Sequence, residues 1–138
     1  MRILAVDWGE RRIGLAVSDP GGVIATGLPT LIVRSRAQAV AGVVEAAAEL
    51  EVERIVVGLP LLLSGQPGQA AESALAFAQA VADGTGLPVE TYDERLTTAL
   101  AQRRLHETGV RAGSAKSRLD QGAAVALLES YLRRIAGR

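Results

Sequence analysis

Ile3-Leu4-Ala5-Val6 is apolar at every position, and the run then meets an acid, Asp7. A short stretch with no polar alternation reads as a strand buried on both faces, at the centre of a sheet with cover above and below. A carboxylate at the end of such a strand is costly unless it is paired or coordinates a cation. Asp7 is therefore either an exposed turn residue or a ligand for a metal or a phosphate region. Gly9 and Gly14 nearby would let a ligand approach the chain closely.

The order of elements follows from the punctuation. Gly9-Glu10-Arg11-Arg12 reads as a turn, and residues 13–17 as a second strand. Asp19-Pro20-Gly21-Gly22 is a strong turn signal. Residues 23–33 suit a third strand, broken near Gly27 and Pro29. Ser35 is a plausible N-cap for a helix over residues 37–50, with Val40, Val43, Val44, Ala47 and Leu50 at helical spacing. Residues 54–59 contain Ile55-Val56-Val57, a buried strand closed by Gly58-Leu59-Pro60. A loop is expected over 61–69, a helix over 70–82 ended by Asp83-Gly84, and a fifth strand over 88–93. Thr97 or Thr98 would cap a third helix to about residue 108, with Gly109 following it. After a polar linker, residues 111–114, a last helix runs over 115–135.

Three strands joined by turns make an antiparallel meander. The later strands follow helical crossovers, which favour parallel pairing. The expectation is one α/β domain over residues 1–138, with a mixed five-stranded sheet, strand one central and helices on both faces.

Composition narrows the function. The 138 residues contain no cysteine, which excludes disulfides and thiolate metal sites and fits a reducing compartment. No stretch approaches the roughly 20 apolar residues of a membrane span, so no membrane association and a cytoplasmic location are expected. Fifteen basic residues balance 15 acidic ones, unlike a generic polyanion binder. The basic residues are nearly all arginine, clustered at Arg11-Arg12, Arg34/Arg36, Arg103-Arg104 and Arg133-Arg134, with Lys116 the only lysine. Aromatic residues are scarce, which argues against a base-stacking platform.

Two further acidic positions stand beside Asp7. Asp93-Glu94-Arg95 lies at the end of the fifth strand, on the same sheet edge as Asp7 if the two strands are parallel. Ligands of such sheets bind beyond the carboxyl ends of the strands. One of the acids could equally complement a helix dipole. Asp120 lies in the last helix, on the side of Ala123, Ala124 and Leu127, where an acid needs a partner. Lys116 one turn earlier is one candidate. Together, carboxylates from two strand ends and a helix make an oxygen-rich site suited to Mg²⁺ or Mn²⁺. Two such ions activate a water and stabilise the leaving oxygen in phosphodiester hydrolysis. Arg11, Arg12 and Arg95 are expected to flank the site and contact phosphate. His106 is isolated, and Ser18 and Ser64 have no histidine base at a suggestive spacing.

Four ordered motifs resemble one family over nearly the whole chain. Asp7-Trp8-Gly9-x-x-Arg12-Ile13-Gly14-Leu15-Ala16-Val17-Ser18-Asp19 resembles the opening signature of the YqgF family, also called RuvX, whose members are RuvC-like and belong to the RNase H-like superfamily. Val56-Val57-Gly58-Leu59-Pro60 resembles its strand-four motif, and Asp93-Glu94-Arg95-Leu96-Thr97-Thr98 its strand-five motif. Lys116-x-x-x-Asp120-x-x-Ala123-Ala124, with Leu128 and Tyr131-Leu132, resembles its last helix. The resemblance implies an RNase H-like fold and a nuclease with Asp7, Glu94 and Asp120 as the catalytic, metal-holding acids. Arg11, Arg12, Arg95 and Lys116 are then the expected nucleic-acid contacts. The implied role is processing the 5′ end of the 16S ribosomal RNA precursor, with RNA favoured over branched DNA.

The chain departs from the pattern in three places. Leu61-Leu62-Leu63 is apolar where the family often has a polar residue. Strand four ends without the glutamate that RuvC-like enzymes place nearby, so the role passes to Glu94 on the neighbouring strand, which must reach further. No fourth acid follows Asp120.

Three alternatives bear on function. Asp7-x-Gly9 also resembles the first phosphate motif of the actin and sugar-kinase superfamily, but a second lobe and phosphate loop do not fit in this length. A Holliday junction resolvase acting as a homodimer is the nearer enzyme. A non-catalytic RNA-binding module on the same fold is the third.

Overall fold

The computed structural model describes residues 1–60, 68–96 and 114–137, with the side chains of its last helix described from Gly122 onward. Residues 61–67 of the loop expected over 61–69, the expected third helix over 97–108 with Gly109, residues 111–113 of the linker expected over 111–114, and with them Ser64 and His106, lie outside the described residues. The elements run β1 (Ile3–Asp7), β2 (Arg12–Ser18), β3 (Ala25–Ile32), α1 (Arg36–Glu49), β4 (Arg54–Leu59), α2 (Gln69–Thr85), β5 (Val89–Asp93), a 3₁₀ turn (Glu94–Leu96) and α3 (Ser114–Ala136).

The five strands form one sheet in the order β3-β2-β1-β4-β5, with β1 central as expected. β1 pairs antiparallel with β2, and β2 with β3, through short turns that allow no other direction. β4 lies parallel to β1, and β5 parallel to β4, because α1 and α2 carry the chain back across the sheet between them.

Strand alternation divides the core in two. Leu4, Val6 and Trp8 face one side with Ile13, Leu15, Val17, Ile55 and Val57, and pack on α1 and α2 through Ala39, Val43, Ala47, Ala74, Phe77 and Val81. Trp8 stacks on Phe77 at 4.4 Å between ring centres. Ile3, Ala5, Ala16, Val56 and Tyr92 face the other side, under Ala123, Ala124, Leu127, Leu128, Tyr131 and Leu132 of α3. Asp7 shares the phase of Ile3 and Ala5, so it points to the α3 face.

Turns and caps follow the sequence signals with two corrections. Ser35 caps α1 by accepting from the Gln38 amide at 3.2 Å. The Asp19 carboxylate accepts from the amides of Gly21, Val23 and Ile24, and these bonds, Ile24 first, hold its pKa below the ordinary value. Ser18 is structural, its hydroxyl accepting from the Ile3 amide at 2.8 Å. The first correction is β3, which runs on past Gly27 and Pro29 as one strand and bulges where a break was expected. Proline is tolerated because β3 is an edge strand, and the register slips at Pro29-Thr30, where the three steps from Leu28 to Leu31 face only the two from Leu15 to Ile13 on β2. The second is α2, which does not end at Asp83-Gly84. It continues to Thr85 and closes on Gly86 at φ 70°, whose amide donates to Ala82. Gly84 instead allows contact between helices, since a Cβ there would lie 3.0 Å from the Val44 side chain of α1.

α3 is docked by polar contacts as well as apolar ones. The Tyr131 hydroxyl donates to the Glu90 carboxylate of β5 and accepts from the Arg54 guanidinium of β4 at 2.9 Å. Tyr92 and Ser130 share a hydrogen bond at 2.9 Å, and the Tyr92 and Tyr131 rings meet edge to face at 5.8 Å. Burial first, then donation to Glu90, raises the Tyr131 pKa above the ordinary 10.0. The folded chain thus keeps this proton to higher pH than the unfolded chain. The stability that results is intact below the unfolded value and is lost as pH rises through the folded one. Tyr131→Phe should therefore cost about 1–2 kcal/mol at neutral pH and make the alkaline loss of stability shallower. Denaturant unfolding of both proteins at neutral and strongly alkaline pH checks this. An equally steep alkaline loss in the variant would assign that titration elsewhere.

Candidate functional site

The carboxyl ends of β1, β4 and β5 lie side by side at one edge of the sheet. Asp7 ends β1, opposite Gly14 of β2. On its other side, Val6 pairs with Val57, so continuation of the register brings Gly58 of β4 beside Asp7. The acid is thus flanked by a glycine on each neighbouring strand. Asp7 is 7% exposed, in keeping with its place at the end of a strand covered on both faces.

Glu94 directly follows β5 and is fully buried. Strands one and five are separated by two strand spacings, roughly 10 Å, too far for a short acid on β5 to approach Asp7 across a filled β4. Gly58 removes the obstruction. A Cβ added there would lie 3.1 Å from both Cγ and Cδ of Glu94, with the carboxylate Oε1 nearer still. The Glu94 side chain therefore occupies the space that any other residue at position 58 would fill. It lies over β4. Both acids take part in further polar interactions of the fold.

Asp93 has a different role from its neighbour. Its carboxylate binds the Arg95 guanidinium through two nitrogens, at 3.0 and 2.7 Å, and accepts from the Arg95 amide at 2.9 Å. The Arg95 side-chain bond is the first cause of an Asp93 pKa below the ordinary value, and the same bond raises that of Arg95. Of the adjacent acids, Glu94 is the one buried over Gly58, while Asp93 neutralises Arg95 at the surface.

The third expected acid, Asp120, belongs to α3, three and four residues before Ala123 and Ala124, which pack on the sheet face that carries Asp7. The side chains of Asp120 and Lys116 lie outside the described residues. Among the described residues no group of three potential metal ligands is present. The two acids brought together offer only carboxylate oxygens, a hard donor set that fits Mg²⁺ or Mn²⁺.

The expected arginines are divided by the sheet. Arg12 begins β2 in the phase of Gly14 and Ala16, on the α3 face with Asp7. Arg11 is exposed and opens onto a cleft on the opposite side, with Trp8. Arg95 is held by Asp93. Gly58 was not among the expected functional positions. The signal for it was the missing strand-four acid together with the longer reach required of Glu94.

The chain is similar to known proteins over nearly its whole length. A family model described as "RuvX: Holliday junction resolvase" matches residues 1–134. A Chloroflexus aurantiacus relative named "Putative pre-16S rRNA nuclease" is 42% identical over 130 residues, covering 94% of this chain and 85% of the relative. A Mycobacterium tuberculosis protein of the same name is 42% identical over 132 residues, covering 95% of this chain and 78% of that one. The RuvC structure from Thermus thermophilus superposes with a TM-score of 0.60 at 20% identity, over 99% of this chain and 97% of that one, which shows a shared RNase H-like fold. With a family model spanning nearly its full length and relatives at this identity, the chain belongs to the RuvX (YqgF) family.

Proposed function

We propose that the protein is a divalent-metal-dependent nuclease that hydrolyses phosphodiester bonds, acting on RNA in 5′-end processing of the 16S ribosomal RNA precursor. The observation that carries this is the convergence of Asp7 and the buried Glu94 over Gly58, on the sheet face covered by the helix that bears Asp120. The names of the relatives at 42% identity support the ribosomal RNA substrate. Such a role places the protein in the cytoplasm. Among the described residues no helix is long and apolar enough to cross a membrane.

In this reading Asp7, Glu94 and Asp120 hold Mg²⁺ or Mn²⁺. Bound ions supply an activated water and stabilise the leaving oxygen. Asp7 is the central ligand, because it is fixed at the end of the innermost strand. Glu94 is the reaching ligand, and its burial excludes water from its side of the site. Arg12, on the same face, contacts the substrate phosphate, with Lys116 assigned the same role from the α3 side.

A second reading, a Holliday junction resolvase, is favoured by the description of the family model and by the likeness to RuvC, which has also been solved in complex with a Holliday junction. Two symmetric cuts would require a homodimer. Cleavage of single-stranded RNA beside a synthetic four-way junction, with the mass of the protein in solution, separates the two. Binding of either without cleavage in Mg²⁺ or Mn²⁺ would leave a non-catalytic nucleic-acid module.

Asp7→Asn should lower cleavage by several orders of magnitude, since loss of one preorganised electrostatic contact costs roughly 10²–10³ in rate and loss of the ion costs more. Melting temperature without metal should hold or rise, because clustered carboxylates repel one another. Glu94→Gln and Asp120→Asn should behave alike, and a double variant should be little worse than a single one. Full activity in all three single variants would remove the basis of the nuclease reading. Mg²⁺ and Mn²⁺ should raise the melting temperature of the wild type more than that of any variant. Equal shifts would place the ions elsewhere.

A further inference from the structure

At the same edge of the sheet, but on the α1/α2 side, lies a cleft of about 760 Å³. Its floor is Trp8, held flat on Phe77. Three arginines line it, Arg11 in the β1–β2 hairpin and Arg34 and Arg36 at the start of α1. Glu10 is the one acid lining it, and Ser73 of α2 closes the far wall.

These arginines come from separate parts of the chain that are fixed to one another. The Val33 amide donates to the Arg11 carbonyl at 2.9 Å, which ties the hairpin to the segment leading into α1. The Arg34 amide donates to the Gln38 side chain at 2.7 Å, and Ser35 between the two arginines caps the helix. The hairpin itself depends on Gly9, where a Cβ would lie 2.6 Å from the Arg12 carbonyl oxygen. The backbone under the cations is thus set before any ligand arrives. Among the described residues none of Arg11, Arg34 and Arg36 makes an ion pair, whereas Arg95 in the same part of the molecule is neutralised by Asp93.

Position relative to the acids gives the cleft its meaning. Asp7 and Trp8 are consecutive, and strand alternation turns one to the α3 face and the other to the cleft floor. A polyanion lying across the carboxyl edge of the sheet would meet the acids on one side and the arginines on the other. Guanidinium groups bind phosphate oxygens in pairs of parallel hydrogen bonds, and an open groove suits a continuous backbone better than a small molecule. We propose that this cleft is a second nucleic-acid subsite, in which Arg11, Arg34 and Arg36 hold backbone phosphates of the strand flanking the bond to be cut. The subsite rests on the nucleic-acid reading given above and assigns Arg34 and Arg36, which that reading leaves without a role. It reads no base sequence, since it touches phosphate alone.

The test is equilibrium binding of fluorescently labelled single-stranded RNA across a salt series, with a labelled four-way junction as a second probe. The proteins are the wild type, the double variant Arg34→Gln/Arg36→Gln, and a control, Arg133→Gln/Arg134→Gln, which removes the same charge from the exposed end of α3. The cleft variant should bind RNA about tenfold more weakly, with a salt slope shallower by about 1.4, or about 0.7 for each phosphate that is no longer neutralised. The control should keep close to the wild-type affinity and slope. An unchanged slope in the cleft variant, with the wild type binding RNA, would overturn the subsite alone. An equal weakening in the control would overturn it too, as an effect of net charge. Failure of the wild type to bind either probe would overturn the nucleic-acid reading and the subsite with it.

Discussion

The site depends on a side chain that is absent. Glu94 can reach across β4 only because residue 58 has no Cβ, and everything proposed for the acidic centre follows from that one clearance. A sheet places neighbouring strands close together, but it also fills the space between alternate strands with side chains. Two acids on β1 and β5 would ordinarily be screened from each other by the residue on β4. Here the intervening residue is glycine, and the longer acid lies in its place. The same device is seen on the other side of Asp7, where the facing residue of β2 is Gly14. The residues beside the central carboxylate on both flanking strands therefore lack a Cβ.

The third wall of the site depends on how α3 is docked. Its apolar stripe, Ala123, Ala124, Leu127, Leu128, Tyr131 and Leu132, sets its height above the sheet, with small residues permitting close approach. Its register along the sheet is set by directional contacts, Tyr131 with Glu90 and Arg54, and Ser130 with Tyr92. These lie at the end of the helix remote from Asp120. Ser130 also donates to the Leu96 carbonyl at 3.4 Å, so the same contacts tie α3 to the 3₁₀ turn that carries Glu94.

Much of this was legible in the sequence. The unbroken apolar run before Asp7 required cover on both faces, and the structure supplies α1 and α2 on one side and α3 on the other. The alternation of turn signals and helical crossovers gave the strand directions correctly, and the last helix was placed to within one residue at each end. Pattern reading fails where the decisive quantity is a contact between distant segments. Gly84 has the form of a helix stop but is a helix–helix contact, and the stop is Gly86. The strand pattern does not tell the adjacent acids Asp93 and Glu94 apart; the family resemblance named Glu94, and the packing of Arg95 and Gly58 gives the two different surroundings. Arg11 and Arg12 read as one basic pair, whereas strand phase sends them to opposite faces. The cleft rim joins residues that only folding brings together.

The most direct measurement is a comparison of Gly58→Ala with wild type for Mn²⁺ binding, followed by the metal-induced rise in melting temperature. The double variant Gly58→Ala/Glu94→Ala separates steric from ligand effects. If Glu94 occupies the space over Gly58, the new methyl group must displace it. Gly58→Ala should then lose both metal-free stability and most of the Mn²⁺ response, while the double variant should recover the stability and not the response. Wild-type Mn²⁺ binding and stability in Gly58→Ala would contradict the account, because the carboxylate would have no need of that space.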